Sequence, residues 1–299
     1  MNNLKTWFLE TRPSFLLLTP VCVFLGIAAA TYDLRSLNVL HLTLAFLGAL
    51  LAHISVNVLN DYFDYRSGID LKAQRTPFSG GSGILPAGLL NPRSVYFLGT
   101  GCLLAVILIG IYFLYKYGTG ILPVGMLGIL VVYFYTTHLT RNPILCIIAP
   151  GLFALMVIGT YFTQAGEYTL AALMATLVPG LLISNLLLLN QFPDIEADRT
   201  GCRYHLPIAI GKHNSARVYA GFLSAAYICL IVSVVSGILP VTALLGIATI
   251  PLGLKTVKGV LKYYDDTDNL IPFMASNIQV TLLTPLLMGI GIFIGLLLD

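Results

Sequence analysis

Runs of about twenty apolar residues recur along the whole chain, parted by shorter stretches that hold nearly all the charge. A helix rises ~1.5 Å per residue and the hydrocarbon core of a bilayer is ~30 Å thick, so a run of that length is what one crossing needs. Nine segments qualify, at 14–31, 39–59, 94–115, 119–137, 143–163, 169–190, 215–236, 238–257 and 275–298. The pattern predicts an all-α polytopic membrane protein, with nine transmembrane helices in a single bundle, one domain over 1–299, and a central cavity open to the cytoplasmic side. Ahead of the first segment stand Trp7, Phe8, Leu9 and Glu10, with Arg12 before Pro13. That is not the order of charge, apolar run and small residues of a signal peptide, so the first segment is expected to remain as a span.

Composition sharpens this picture. Hydrophobic residues make up 57% of the chain and charged ones 10%, against ~25% charged in a soluble domain, which excludes a cytosolic enzyme. A net charge of +3 is too small to suggest nucleic acid as a partner. Cys22, Cys102, Cys146 and Cys229 lie in apolar stretches, where a thiol acts as a small hydrophobe. The placement of the charges says more than their sum. With the N-terminus cytoplasmic, all of the 16 Lys and Arg residues except Arg35 and Lys116 fall on the inside. An integral multi-pass protein of the cell (inner) membrane is expected. The long polar connections, about 60–93 and 191–214, are then cytoplasmic and the natural seat of function.

Two of the segments end in acidic motifs. His53, Asn57, Asn60, Asp61 and Asp64 fall within about 100° of one another on a helical wheel and form one polar stripe. Asn190, Asp194 and Asp198, at i, i+4 and i+8, share a face of the sixth segment, while Glu196 points elsewhere. The same Asn-x-x-x-Asp unit thus recurs on the second and sixth helices, which hold equivalent places in two sets of four, as a weak internal duplication would leave them. Carboxylates aimed at one place repel each other unless a cation joins them. Mg²⁺ suits such a site because it prefers oxygen ligands and shares them with substrate phosphates, so a metal-bound diphosphate is the expected ligand. Lys72 and Arg75 follow the first motif and Arg199, Arg203 and Lys212 the second. Of these, Arg75 and Arg203 are the preferred phosphate contacts, with Lys72 and Arg199 beside them.

At Asn60-Asp61-Tyr62-Phe63-Asp64 and at Asn190-Gln191-Phe192-Pro193-Asp194-Ile195-Glu196-Ala197-Asp198-Arg199 the chain resembles the UbiA superfamily of intramembrane prenyltransferases. Arg12-Pro13, Leu206-Pro207 and Gly211 extend the resemblance over nearly the whole length. Within the superfamily it is most similar to the branch that prenylates 1,4-dihydroxy-2-naphthoate on the way to menaquinone. Gly68 and Asp70 after the first motif, the stretch Leu155-Met156-Val157-Ile158-Gly159-Thr160-Tyr161 and the Asp194-x-Glu196-x-Asp198-Arg199 form carry that choice. The resemblance implies that Mg²⁺ held by Asp61, Asp64, Asp194 and Asp198 binds a polyprenyl diphosphate, that Asn60 and Asn190 orient its ligands, and that an aromatic acceptor attacks the allylic carbon. Departures from the family's pattern are His138-Leu139-Thr140-Arg141-Asn142 after the fourth helix, Cys202, His205 and the glycine-rich Phe78–Gly83 stretch.

Asn57 on the first stripe is a further candidate substrate contact. Tyr62, Tyr133 and Tyr135 are candidates to face an allylic cation, or else belong to the interfacial aromatic belt. His138 and Arg141 are candidates for the acceptor side, Arg141 because an aromatic carboxylate is anionic. The same two motifs would also serve a terpene cyclase or a prenyltransferase with a lipid acceptor. A secondary transporter fits less well, because its polar residues belong near the midplane.

Overall fold

A computed structural model of the chain describes residues 4–73 and 75–298, and among these residues there is no strand. The helices are α1 (Leu4–Glu10), α2 (Pro13–Leu16), α3 (Leu18–Leu34), α4 (Val39–Ser67), α5 (Pro92–Tyr117), α6 (Leu122–Phe134), α7 (Leu145–Gly151), α8 (Leu155–Ala165), α9 (Leu170–Thr200), α10 (Leu206–Val235), α11 (Ile250–Tyr263) and α12 (Thr267–Leu298). Their ends follow local chemistry. The Asn38 and Thr169 side chains accept hydrogen bonds from the backbone N–H groups of His41 and Ala172 and so cap α4 and α9. Gly68, with φ 80°, ends α4 in the left-handed conformation that glycine adopts without strain.

By length and apolar composition, eight helical stretches of the described residues can each cross a membrane, and the third of them, Pro92–Phe134, is 43 residues long. As one straight helix it would reach about 65 Å, twice the hydrocarbon thickness. It is instead a hairpin. Around Gly118 the chain lies at the far end of the bundle, where the Tyr117 hydroxyl donates to the Thr163 carbonyl at 2.6 Å and Tyr168 to the Gly120 carbonyl at 2.8 Å. Past α6 the chain has returned to the motif end, where Asn60 donates to Thr136 Oγ1 at 3.0 Å and the Tyr204 N–H to the Thr140 carbonyl at 3.0 Å. Counting α5 and α6 separately gives the nine crossings the apolar pattern predicts.

The helices outrun their apolar segments at the motif end. α4 continues to Ser67 and α9 to Thr200, so both acidic motifs are helical, and the connections shrink to 68–91 and 201–205. The seventh span starts at Leu206, well before the apolar run, and is kinked at Gly211 (φ 80°, ψ 158°). Apolarity marks only the part of a helix that meets lipid, whereas these polar extensions are held by neighbours within the protein.

The main core joins α3, α9, α10 and α12 through Leu25, Val178, Leu182, Leu230 and Met288. With lipid outside, tight contact rather than burial from water holds such helices together, and small residues permit it. At Gly291 a Cβ would stand 2.1 Å from the Thr242 carbonyl oxygen, so only glycine allows α12 this close to the segment before α11. The orientation expected from the basic residues is testable by impermeant labelling of single cysteines placed at positions 87 and 237. Labelling of position 237 from outside and of 87 only after permeabilisation is the expected result, and the reverse pattern would invert the topology.

Candidate active site at the motif end

α4 and α9 bring their polar stripes to one cavity of about 400 Å³. Asn57, Asn60 and Asp64 line it from α4, and Asn190, Gln191, Asp194 and Asp198 from α9. Arg12, Asp70, Phe78, Ser79, Arg203 and His205 close the polar end. Toward the middle of the bundle the walls turn apolar, with Leu18, Phe153, Ile183, Leu186, Leu187 and Leu282. Asp61 lies behind this surface, fully buried.

The acids are tied together by cations of the protein itself. Arg203 donates through Nη1 to Asp198 Oδ1 at 2.9 Å and through Nη2 to Asp64 Oδ1, so one guanidinium joins the two motifs across the cavity. Its Nε–H is buried without a partner. Although burial opposes its charge, Asp64 and Asp198 push the Arg203 guanidinium further toward the protonated form. The second Asp198 oxygen lies 3.0 Å from His205 Nε2. On the first motif, Asn60 donates to Asp64 Oδ2 at 3.0 Å, and Arg12 approaches Asp61 Oδ1 at 3.5 Å. Asn57 donates to the Thr11 carbonyl at 3.0 Å, which fixes the turn between α1 and α2 against α4. Burial pushes the carboxyl of Asp70 up to about 8, with Asp64 and Asp61 adding to the effect. Glu10 is raised to about 8 in the same way, by burial and then by Asp61.

The donor set suits a hard cation. Asp61 Oδ1, Asp194 Oδ1 and Asp70 Oδ2 are buried oxygens without a hydrogen-bond partner. Among the described residues no three carboxylate, His or Cys groups converge closely enough to hold a metal by themselves. Mg²⁺ commonly takes one or two carboxylates and completes its shell with water and substrate phosphate, so the unpartnered oxygens could supply only part of such a shell.

Other sequence candidates fall elsewhere. Arg75 is exposed and off the cavity wall, its guanidinium lying where a Cβ at Gly83 would be, 1.9 Å from Nη1. Lys72 is exposed, and Arg199 pairs on the surface with Glu196 at 3.3 Å. Tyr62 and Tyr133 join an aromatic cluster with Phe63 and Tyr96, the Tyr62 and Tyr96 rings 4.8 Å apart, outside the cavity. Tyr135 lines it instead. His138 and Arg141 are exposed, the His138 ring bonding to its neighbour Thr137 at 2.7 Å.

The structure also adds to the cavity wall Ser79, Gln191 and Phe153, which the stripes do not contain, and places Glu10 and Ser82 together behind it. A signal was present for Glu10, the one acidic residue ahead of the first span and two places from Arg12. Phe153 had none, because an apolar residue in an apolar helix carries no mark of a cavity.

The UbiA prenyltransferase family matches residues 19–278 of the chain. The 1,4-dihydroxy-2-naphthoate octaprenyltransferase of Bacillus subtilis (strain 168) is 24% identical over 293 residues, covering 95% of this chain and 91% of that protein. The protein of the same name from Haemophilus influenzae is 26% identical, with 98% and 97% covered. Among solved structures, one concerned with digeranylgeranylglyceryl phosphate synthase aligns at a TM-score of 0.66 and 18% identity, over 98% of this chain and 99% of that one. A UbiA homolog from Archaeoglobus fulgidus bound to DMAPP and Mg²⁺ aligns at 0.60 and 14% identity, over 95% and 99%. At these identities the two structures share the fold.

Proposed function

The chain belongs to the UbiA prenyltransferase family, and from that premise we propose that it transfers a polyprenyl group from its diphosphate to 1,4-dihydroxy-2-naphthoate. The observation that carries the reading is the cavity itself, with both acidic motifs and Arg203 at one end and apolar walls at the other. This division matches a donor with a charged head and a greasy tail. The two octaprenyltransferases align over nearly their whole length and so support the acceptor.

Mg²⁺ would be held by one or two carboxylates from each motif, drawn from Asp61, Asp64, Asp194 and Asp198, with diphosphate oxygens completing its shell, and would neutralise the diphosphate and stabilise it as a leaving group. The chain's own residues do the rest. Arg203 carries a fixed positive charge between the motifs, and its free Nε–H is a donor for a phosphate oxygen. Asn60 holds Asp64 in place by their hydrogen bond. The prenyl chain lies along Phe153, Ile183, Leu186 and Leu282, each buried CH₂ contributing ~0.8 kcal/mol. The allylic C–O bond breaks with its electron pair going to the diphosphate, and the electron-rich ring carbon that bears the acceptor's carboxylate bonds to the allylic carbon. The ring then regains aromaticity by losing its carboxylate as CO₂. The Tyr135 ring, on the cavity wall, offers a π-face to the positive charge in transit. The working end faces the cytoplasm, on the side that holds most of the basic residues.

The test is mass spectrometry of products from purified protein given an octaprenyl diphosphate with Mg²⁺ and a panel of acceptors. A prenylated, decarboxylated naphthalenediol is expected. Product formed only with a lipid alcohol, or a cyclised product formed without any acceptor, would overturn the assignment.

A further inference from the structure

α1 turns its apolar residues outward, as lipid allows, and its one acidic residue inward. Its sequence is Leu-Lys-Thr-Trp-Phe-Leu-Glu, and the only one of these residues that is buried is Glu10, with no exposed surface at all. Leu4, Phe8 and Leu9 face outward, Leu4 by 86%. A carboxyl group is costly to remove from water unless something specific receives it. Ser82, in the glycine-rich loop, is what receives this one. Its hydroxyl donates to Glu10 Oε2 at 3.0 Å, while its backbone N–H donates to Asp61 Oδ2 at 3.0 Å. One serine therefore joins α1, the loop and the first acidic motif.

Elsewhere the loop is held by Thr76, which bonds Phe78 and Ser79, and by Ile84 and Leu85 in the core. Gly80, Gly81 and Gly83 all have positive φ, and at Gly81 a Cβ would stand 2.9 Å from Asp70 Oδ2. Such a glycine-rich backbone threads a tight space readily but gains no rigidity from side chains. Between those anchors the glycine segment is fixed at Ser82, to Glu10 through its hydroxyl and to Asp61 through its N–H.

We propose that Glu10 is a positioning residue that straps the glycine-rich loop onto the first acidic motif through Ser82, and so holds the Asp61 carboxylate in the orientation donor binding requires. The proposal rests on the prenyl-transfer reading for its consequence but not for its geometry. Glu10 does not line the cavity and touches no substrate; it acts through Ser82 and Asp61. What it supplies is an acceptor oxygen at a fixed place, which an amide supplies equally well.

Hydrogen–deuterium exchange of the full chain in nanodiscs, with no substrate present, tests the strap directly. In Glu10→Ala, amides of residues 78–84 should exchange about tenfold faster, the factor that one net hydrogen bond is worth. Residues 39–59 should be unchanged. Ser82→Ala should give the same acceleration in the same peptide, and the double variant should add nothing further, because both changes cut one link. Glu10→Gln should restore slow exchange. In steady-state assays Glu10→Ala should raise the KM for the prenyl diphosphate about tenfold and leave that for the acceptor unchanged, with Glu10→Gln again near wild type. Unchanged exchange in both alanine variants would overturn the strap. Glu10→Gln behaving like Glu10→Ala would overturn positioning in favour of a need for charge. The exchange measurement needs no acceptor, so a wrong substrate assignment would leave its outcome intact.

Discussion

Exchanging Asp194 for Asn is expected to lower kcat by at least 10²- to 10³-fold, about what removal of one group stabilising transition-state charge costs, with the protein still folded. The structure makes this the cleanest of the four aspartates to test. Asp64 and Asp198 share Arg203, and Asp61 is met by Arg12 and Ser82, whereas among the described residues no ion pair holds Asp194 and its Oδ1 is buried without a partner. Asparagine keeps the volume and one oxygen but removes the charge, so no packed cation is stranded. Thermal unfolding should stay within a few degrees of wild type while product formation disappears at all Mg²⁺ concentrations. Asp64→Asn should be as inactive but less stable, because it deprives Arg203 of a partner. Near-normal turnover by Asp194→Asn, or prenyl transfer by wild type in excess chelator, would remove this residue from the proposed metal site.

Arg203→Gln is expected to combine the largest loss of stability with a loss of donor binding. One guanidinium satisfies two buried carboxylates from different helices. Removing one member of a buried ionic network costs ~3 to 5 kcal/mol, because the charges left behind have no partner. Lysine should rescue only part of the effect, since a single ammonium cannot reach two carboxylates with the geometry of a planar fork. The thermal midpoints should rank wild type above Arg203→Lys above Arg203→Gln. Mg²⁺ together with a prenyl diphosphate should raise the Arg203→Gln midpoint by less than it raises that of wild type, because a ligand stabilises the folded state less when it binds that state more weakly. A Gln variant with the wild-type midpoint and an unchanged KM for the diphosphate would show that the bridge matters neither to folding nor to the donor.

Much of the molecule was legible in the pattern of residues, and the reasons differ by feature. The nine crossings follow from the length of the apolar runs, because lipid admits only segments that satisfy their own backbone groups. Even the hairpin hidden within Pro92–Phe134 was marked by the polar Lys116–Tyr117–Gly118 break. That Asn60 shares a face with Asp64, and Asn190 with Asp194 and Asp198, follows from a 3.6-residue repeat, which is a local property. These motifs met across one cavity as their recurrence predicts.

What the pattern did not contain is which partner each charge finds. Arg75 and Arg203 look alike in sequence, each a basic residue a short way past a motif, yet one lies on the surface and the other bridges Asp64 and Asp198. Tyr133 and Tyr135 are two residues apart, and only Tyr135 reaches the cavity, where α6 gives way to a turn and the wheel no longer applies. Glu10, at the end of a short apolar helix, reads as a solvated charge but is buried against a serine 72 positions away. Helical period and apolar length are fixed within a few turns of chain, so the sequence determined the spans and the faces of the motifs. The pairing of the loop charges depends on where distant helix ends come to rest against one another, and only the packed bundle decided that.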